Sequence, residues 1–461
     1  MTSLRLLPVA LLAACTTVGP DYKRPQMALP AQYPEPAPAE GAALTPDWWR
    51  LYSDATLDEL VANGQKTNAD LRLAAARVQE AEGVLREARA AFFPDVTAGY
   101  SFTRSRVSAT GVPPPPAGTI MRPSHQLLAS TNFELDFWGR FARATEAAQA
   151  NLLGNRLGQD VVAITLAGGI AQAYFALRSL DAQITVLDNS IRVRRDSFDI
   201  AKARLDAGLA PELDVYQAQG ALSDALVQKR DAERSRALIE HQLAQLSGRL
   251  DLKLASGDVF ALPLVPVPPA GLPSTLLDRR PDIRQAEEVL VAANAQIGIA
   301  RAALFPTLSL TAAAGAQSAE LDTLLTTGAR IWTLGFGLAL PIFDAGRREA
   351  RVDQASARRE QAVAGYQRAI ETGFREVADA LVNVEQTGVS EAELLARLEA
   401  ARNALELSTL RYQSGYSPYL EVLDAQRTAN DAELAFVRNR QARLAFSVDL
   451  MKALGGGWAA R

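Results

Sequence analysis

Two stretches of this chain, Arg140 to Leu205 and Arg347 to Tyr412, run for 66 residues each without a proline. As a helix, each would be about 100 Å long at 1.5 Å per residue. No compact globule of this size needs such a rod; the helix must lie beside others like it. Both stretches stop at the same punctuation, "RLDAGLAPELDVYQAQ" (204–219) and "RYQSGYSPYLEVLDAQ" (411–426). Gly208 and Gly415 suit the left-handed residue that follows a helix C-terminus. Pro211 and Pro418 suit the first position of a returning helix. The sequence therefore predicts two helical hairpins, at 140–247 and 347–454. Arg204 and Arg411 fall in the last turn before each corner, and Glu212, Asp214, Glu421 and Asp424 in the early turns after it. Both placements complement the helix dipole, by about 0.3–1 kcal/mol each.

The apolar pattern agrees with rods. Leu177, Leu180, Ile184, Leu187, Ile191, Phe198, Ala201 and Leu205 follow a seven-residue spacing that only Arg194 breaks. Leu394, Leu398, Ala401, Leu405 and Ser408 match it in the other descending helix. Leu420, Leu423, Leu434, Val437, Leu444, Val448 and Met451 match it in the return, interrupted by Arg427, Asn430 and Gln441. These are narrow coiled-coil seams, unlike the wide stripe of a helix lying on a globular core.

The two hairpins belong to an internal duplication. "DLRLAAARVQEAEGVLREARAAFFP" (70–94) pairs with "DIRQAEEVLVAANAQIGIARAALFP" (282–306), and "FWGR" (137–140) with "FDAGR" (343–347). The prolines that end the first pair, Pro94 and Pro306, mark the entry to an extended section. The expected organisation is a signal peptide (1–14), an extended arm (15–47), a first repeat (48–256), a linker (257–275) and a second repeat (276–456).

After each "FP" the period changes from helical to alternating. Val96, Ala98, Tyr100 and Phe102 interleave with Thr97, Gly99, Ser101 and Thr103; Leu334, Phe336, Leu338, Leu340 and Ile342 interleave with Gly335, Gly337 and Ala339. Strands are expected near 95–104, 127–137, 307–315 and 332–343. Each is about ten residues, the length that crosses a bilayer when tilted. Surface hairpins of a soluble protein would alternate in the same way. In hydrocarbon, however, four strands leave two open edges that lipid does not tolerate. Two chains would supply eight strands and three would supply twelve, so membrane strands force an oligomer.

Before Cys15, "MTSLRLLPVALLAA" has the shape of a secretory signal and is too short to span a bilayer. The cysteine after "LLAA" resembles a bacterial lipobox, which marks Cys15 for lipidation, and Thr16 beside it favours the outer membrane. Residues 17–46, rich in Pro, Ala and Glu, read as an arm with no core of its own. A net charge of −4 gives no reason to expect nucleic acid. One cysteine and two histidines, His125 in an expected external loop and His241 on a helix, leave no metal or disulfide framework. No nucleophile elbow, phosphate loop or acid–base pair appears, so neither catalysis nor a cofactor is expected.

The Cys15 motif, "VGPDYKRP" (18–25), "RRPDI" (279–283), the paired "FFP" and "LFP" entries and the two Gly-x-x-Pro corners together resemble the TolC-type outer-membrane factors. They resemble in particular the lipoprotein branch that serves RND drug-efflux systems. The likeness covers essentially all of the chain after Cys15. It implies an α+β membrane protein: a homotrimer forming a 12-stranded outer-membrane β-barrel continuous with a 12-helix periplasmic α-barrel. Its implied partners are a periplasmic adaptor and an inner-membrane RND-type transporter. The family's gate positions fall on Asp214, Tyr412, Glu421 and Asp424, with Asp214 expected to hydrogen-bond Tyr412. A gate arginine of some members falls on Ser417 here, leaving Arg411 to substitute by another geometry. Adaptor contact is expected at the corners, Gly208 and Pro211 with Gly415 and Pro418. Two rival readings are a protein-secretion duct of the same build and a periplasmic coiled-coil adaptor.

Overall fold

Both proline-free stretches form single unbroken helices in the computed structural model of the chain. The structure describes residues 17–27, 30, 33, 45–110, 120–265 and 275–457. The expected signal peptide, Cys15, most of the arm, the proline run 113–116 and linker residues 266–274 lie outside them. In chain order the main elements are α1 (Ala55–Thr67), α2 (Ala69–Ala90), β1 (Val96–Arg106), β2 (Met121–Leu135), α3 (Arg140–Asp206) and α4 (Glu212–Ser247). They continue with α5 (Pro281–Ala302), β3 (Thr307–Ser318), β4 (Arg330–Ala339), α6 (Arg347–Gln413) and α7 (Tyr419–Ala453). Helices α3 and α6 have 67 residues each.

The chain divides into two compact units, each assembled from both repeats. The first takes Val78–Asn155, Ala286–Tyr366 and residues up to Gln26, and contains the sheet. Its four strands are antiparallel in the order β1-β2-β3-β4, so β1 and β4 are open edges among the described residues. Directly opposite residues share a face. The register runs Tyr100 opposite Leu127, Leu127 opposite Ala316, and Leu310 opposite Phe336. One face is therefore apolar, and the other carries Thr97, Ser101, Ser130, Asn132, Ser309 and Thr311. Phe336 is 78% exposed and Trp332 77%, so nothing among the described residues covers that apolar face.

Two strand limits differ most from expectation. β2 begins at Met121 rather than 127, which carries His125 into the sheet instead of a loop. Pro123 is tolerated there because β3 reaches only as far as His125 along β2; beyond it, one side of β2 needs no N–H donor. His125 Nδ1 lies 2.8 Å from Tyr100 Oη. β4 ends at Ala339, leaving Leu340 and Ile342 outside the ladder ahead of and behind Pro341. Ahead of the strands, Pro94 and Pro306 each follow a turn of the same form, Phe93 N–H to Ala90 O at 3.0 Å and Phe305 N–H to Ala302 O at 3.2 Å.

The arm motif packs in this unit. Gly19 lies so near α5 that a Cβ on it would sit 2.5 Å from Gly298 Cα. Arg24 and the Tyr22 hydroxyl both donate to Glu287, and Arg143 bridges Asp21 and Glu146.

The second unit takes Met27–Arg77, Arg156–Gln285 and Gln367–Arg461. In its core Trp48, Tyr52, Leu57 and Leu60 pack with Ile170, Phe175, Leu177, Leu243, Leu444 and Val448. Asp54 does two jobs there, capping α1 through the Leu57 N–H and accepting from the Tyr174 hydroxyl. Buried Asp181 gathers Arg178, Arg236 and the Gly257 N–H, which ties the start of the linker to α3 and α4. The expected seams are filled: Leu187, Ile191, Ala201, Leu398, Ala401, Leu434, Val437, Leu444 and Met451 are all buried. Leu420 is the exception, exposed beside a corner. Arg194 is only 5% exposed, and its guanidinium donates to the Ala221 carbonyl at 2.6 Å, so the seam closes around it. Burial without a carboxylate partner lowers its pKa below the usual arginine value.

Candidate gate at the hairpin corners

Each long helix ends in a Schellman motif. Leu209 N–H reaches Arg204 O at 2.8 Å and Gly208 N–H reaches Leu205 O at 2.9 Å; Tyr416 reaches Arg411 O at 2.9 Å and Gly415 reaches Tyr412 O at 3.0 Å. The pattern requires a left-handed residue at its fifth position, and Gly208 and Gly415 supply it with φ of 68° and 78°. Pro211 and Pro418 stand one position earlier than expected, at the N-cap with ψ of 154° and 159°. Proline's preset φ fits this extended residue, and its carbonyl accepts the first bonds of the return, from Asp214 and Glu421.

The corners of the two repeats differ where it matters. An offset of 207 pairs Leu205 with Tyr412 and Glu212 with Tyr419, so the second copy has two aromatics where the first has none. Both tyrosines are buried, with ring centroids 5.4 Å apart, and they pack with Ala201, Ala218 and Val422 from both hairpins. Burial pushes the Tyr419 phenol up to about 12 and raises that of Tyr412, with the Asp214 charge adding to the latter. Both therefore remain neutral at any physiological pH.

The structure brings Asp214 and Tyr412 close together. The Asp214 carboxylate is near enough to raise the Tyr412 phenol by its charge and by a weak side-chain hydrogen bond, but the contact falls outside the geometry of a well-formed bond, so the expected Asp214–Tyr412 pair is at most a loose one. The grip comes from Arg204: Nη1 donates to the Tyr412 carbonyl at 3.0 Å, and the guanidinium stands 4.9 Å from the ring centroid. In the sequence Arg204 is visible only as a last-turn cation that complements the helix dipole. The substitution of tyrosine for the leucine of the other repeat was the signal that could have found it.

Glu421 and Asp424 lie exposed on one face of α7, three residues apart, as expected from the helical period. Neither stands alone. Arg411 Nε is 3.5 Å from Glu421, and Arg427 is 3.1 Å from Asp424. Arg411 thus faces across the corner where Ser417, whose Oγ has no partner among the described residues, provides no cation. Arg427, which had looked like a mere interruption of the seam, is a charge partner at i+3. Both pairs are exposed, so each contributes about 0–1 kcal/mol.

A sheet with two open edges and one bare apolar face, carried by paired rods with an acid-bearing tip, defines a class: the subunit of a membrane channel that closes only with copies of itself. Residues 60–249 and 272–456 match the family described as "Outer membrane efflux protein", and the chain belongs to it. It is 35% identical to the toluene efflux pump outer membrane protein TtgF of Pseudomonas putida, over 97% of this chain and 95% of that one. It is 36% identical to the outer membrane protein OprJ of Pseudomonas aeruginosa, over 98% and 95%. The open-state outer membrane channel MtrE of Neisseria gonorrhoeae superposes with a TM-score of 0.86 at 28% identity, covering 96% of this chain and 98% of that one. The fold is accordingly that of a trimeric channel, a 12-stranded β-barrel in the outer membrane continuous with a 12-helix periplasmic barrel. The protein is an outer-membrane channel component of an efflux system. These relatives lend no support to the secretion or adaptor readings.

Proposed function

We propose that the chain is the passive exit duct of a tripartite efflux system for small toxic compounds. Its hairpin corners would dock to a periplasmic adaptor, and through it to an RND-type inner-membrane pump. One observation carries this reading: Leu209, Leu213 and Tyr216 at one corner and Tyr416 and Leu420 at the other are exposed, at helix tips otherwise built for water. Apolar side chains grouped at such a place favour a protein partner.

In the same reading Asp214, Tyr412, Glu421 and Asp424 form the periplasmic gate. Threefold repetition turns Glu421 and Asp424 into rings that attract cations and repel anions. Arg204 holds Tyr412, and so the second hairpin, against the first. The duct spends no energy; an adaptor that binds the open state more tightly shifts the equilibrium toward it. Cys15 carries the lipid anchor, which adds to the hold of the barrel on the outer membrane.

Cysteine cross-linking tests the docking. Leu209→Cys and Tyr416→Cys are expected to give adaptor products in cells, while Leu238→Cys, exposed on α4 away from the corners, gives none. Absence of product at both corner positions would refute the docking.

A further inference from the structure

We propose that the outward rim of the sheet binds the phosphate groups of the phosphorylated glycolipid in the outer leaflet. The inference rests on the strand register. Along β1 the apolar row Val96, Ala98, Tyr100 and Phe102 continues, at the same period, into Arg104 and Arg106. Along β4 the row Leu338, Phe336, Leu334 and Trp332 continues into Arg330. Cross-strand pairing confirms the side: Arg104 lies opposite Pro123, Arg106 opposite Met121, and Arg330 opposite Ala316. These partners belong to the rows of β2 and β3 that carry Leu127, Ala129, Ala314 and Ala312 on the apolar face. Three guanidinium groups per chain thus stand on the lipid side of the wall, not in the channel.

Their depth is also set. All three lie at the strand ends remote from the helices, which is the outward end of a barrel whose helices are periplasmic. Tyr100, Phe102 and Trp332 stand beside them at the level where an aromatic girdle marks the headgroups. An arginine at that level keeps its stem along the apolar surface and its head among the headgroups.

The charge is unanswered from within. Arg104, Arg106 and Arg330 are exposed and make no ion pair among the described residues. The 111–119 segment, "GVPPPPAGT", contains no acid, and the β3–β4 connection supplies only Glu320 and Asp322, neither paired with these arginines. At the helix-joined end, by contrast, Arg140 holds Glu134 and Arg348 holds Asp344, both within 2.8 Å. A planar guanidinium fork matches phosphate oxygens in pairs. Barrel closure sets β4 of each chain against β1 of the next, so Arg330 joins its neighbour's arginine-bearing rim.

The test uses the intact trimer reconstituted in phosphatidylethanolamine vesicles with trace spin-labelled lipid A, either diphosphorylated or dephosphorylated. Electron paramagnetic resonance reads the fraction held at the protein surface. Wild type is expected to prefer the diphosphorylated form by about fivefold or more at low salt. The preference should fall toward unity at about 1 M NaCl, where the screening length shrinks to about 3 Å. Arg104→Gln/Arg106→Gln/Arg330→Gln should lose it. Arg122→Gln, whose side chain lies on the opposite face across from Ser105, should keep it. Size-exclusion chromatography and circular dichroism of each purified variant show whether the trimer has folded. A wild type without a salt-sensitive phosphate preference overturns the proposal and needs no variant to do so. So does a folded triple variant that retains the preference, or its loss in Arg122→Gln.

Discussion

Removing the Arg204 side chain is the most direct way to loosen the corner. Arg204→Ala deletes a charged hydrogen bond to the Tyr412 carbonyl and a cation–π contact with the ring. Such a hydrogen bond contributes about 1.5–3 kcal/mol. The low end applies, because the carbonyl keeps the Gly415 N–H at 3.0 Å and is not orphaned. The ring contact at a partly exposed site adds about 0.5–1 kcal/mol. Together they amount to about 2 kcal/mol, or roughly a 30-fold change in an equilibrium constant. Because Arg204 lies on the first hairpin and Tyr412 on the second, this loss falls on the state in which the hairpins touch. The open-to-closed dwell ratio of single channels in planar bilayers should therefore rise by about 30-fold per subunit. Tyr412→Phe should change it by much less, about threefold or under, since the hydroxyl loses only a loose contact with Asp214. Arg204→Lys should recover part of the effect, retaining charge but not the planar fork. A ratio unchanged within about threefold in Arg204→Ala would refute the reasoning, as would Tyr412→Phe matching it.

Three further outcomes follow from the described geometry. Glu421→Ala/Asp424→Ala should abolish cation preference in reversal-potential measurements, whereas Arg411→Ala/Arg427→Ala should strengthen it by unmasking the same acids. Gly415→Ala meets no neighbour within 4 Å, so its cost is the left-handed backbone alone, about 1–2 kcal/mol, seen as a lower melting temperature of the detergent-solubilised trimer. Burial would raise the Glu240 carboxyl, but the Leu254 N–H and the Lys253 ammonium outweigh it and hold the pKa below the usual carboxylate value. A depressed carboxylate stabilises the fold above its unfolded pKa and ceases to as pH falls through the folded one. Wild type should therefore out-melt Glu240→Gln at pH 5 to 7, with the gap closing below the ordinary carboxylate range near about pH 4.

The gate shows why some contacts resist reading from sequence. Arg411 was visible as the one cation near the position where Ser417 stands, yet its pairing with Glu421 depends on how tightly the corner turns. Asp214 and Tyr412 are placed near each other by the sequence, but how good their hydrogen bond is depends on tenths of an ångström, and the structure leaves the contact loose. In the sequence His125 reads as part of a loop running on from the proline-rich stretch at 113–116; what the sequence does not show is that β2 already begins at Met121, with Pro123 acceptable because β3 ends at His125.

What the amino acids determined alone is whatever one element decides within its own length. The absence of proline set the extent of α3 and α6, glycine and proline set the corners, and period-two alternation set the two faces of the strands. The open edges followed as well, because four strands cannot close a wall. Tertiary structure decided what depends on two elements meeting: Arg204 against Tyr412, Asp181 among its three donors, the reach of β2, and which arginines found acids. Periodicity is a local property of the backbone, whereas a side-chain partner is chosen by distances that exist only after the helices and strands have packed.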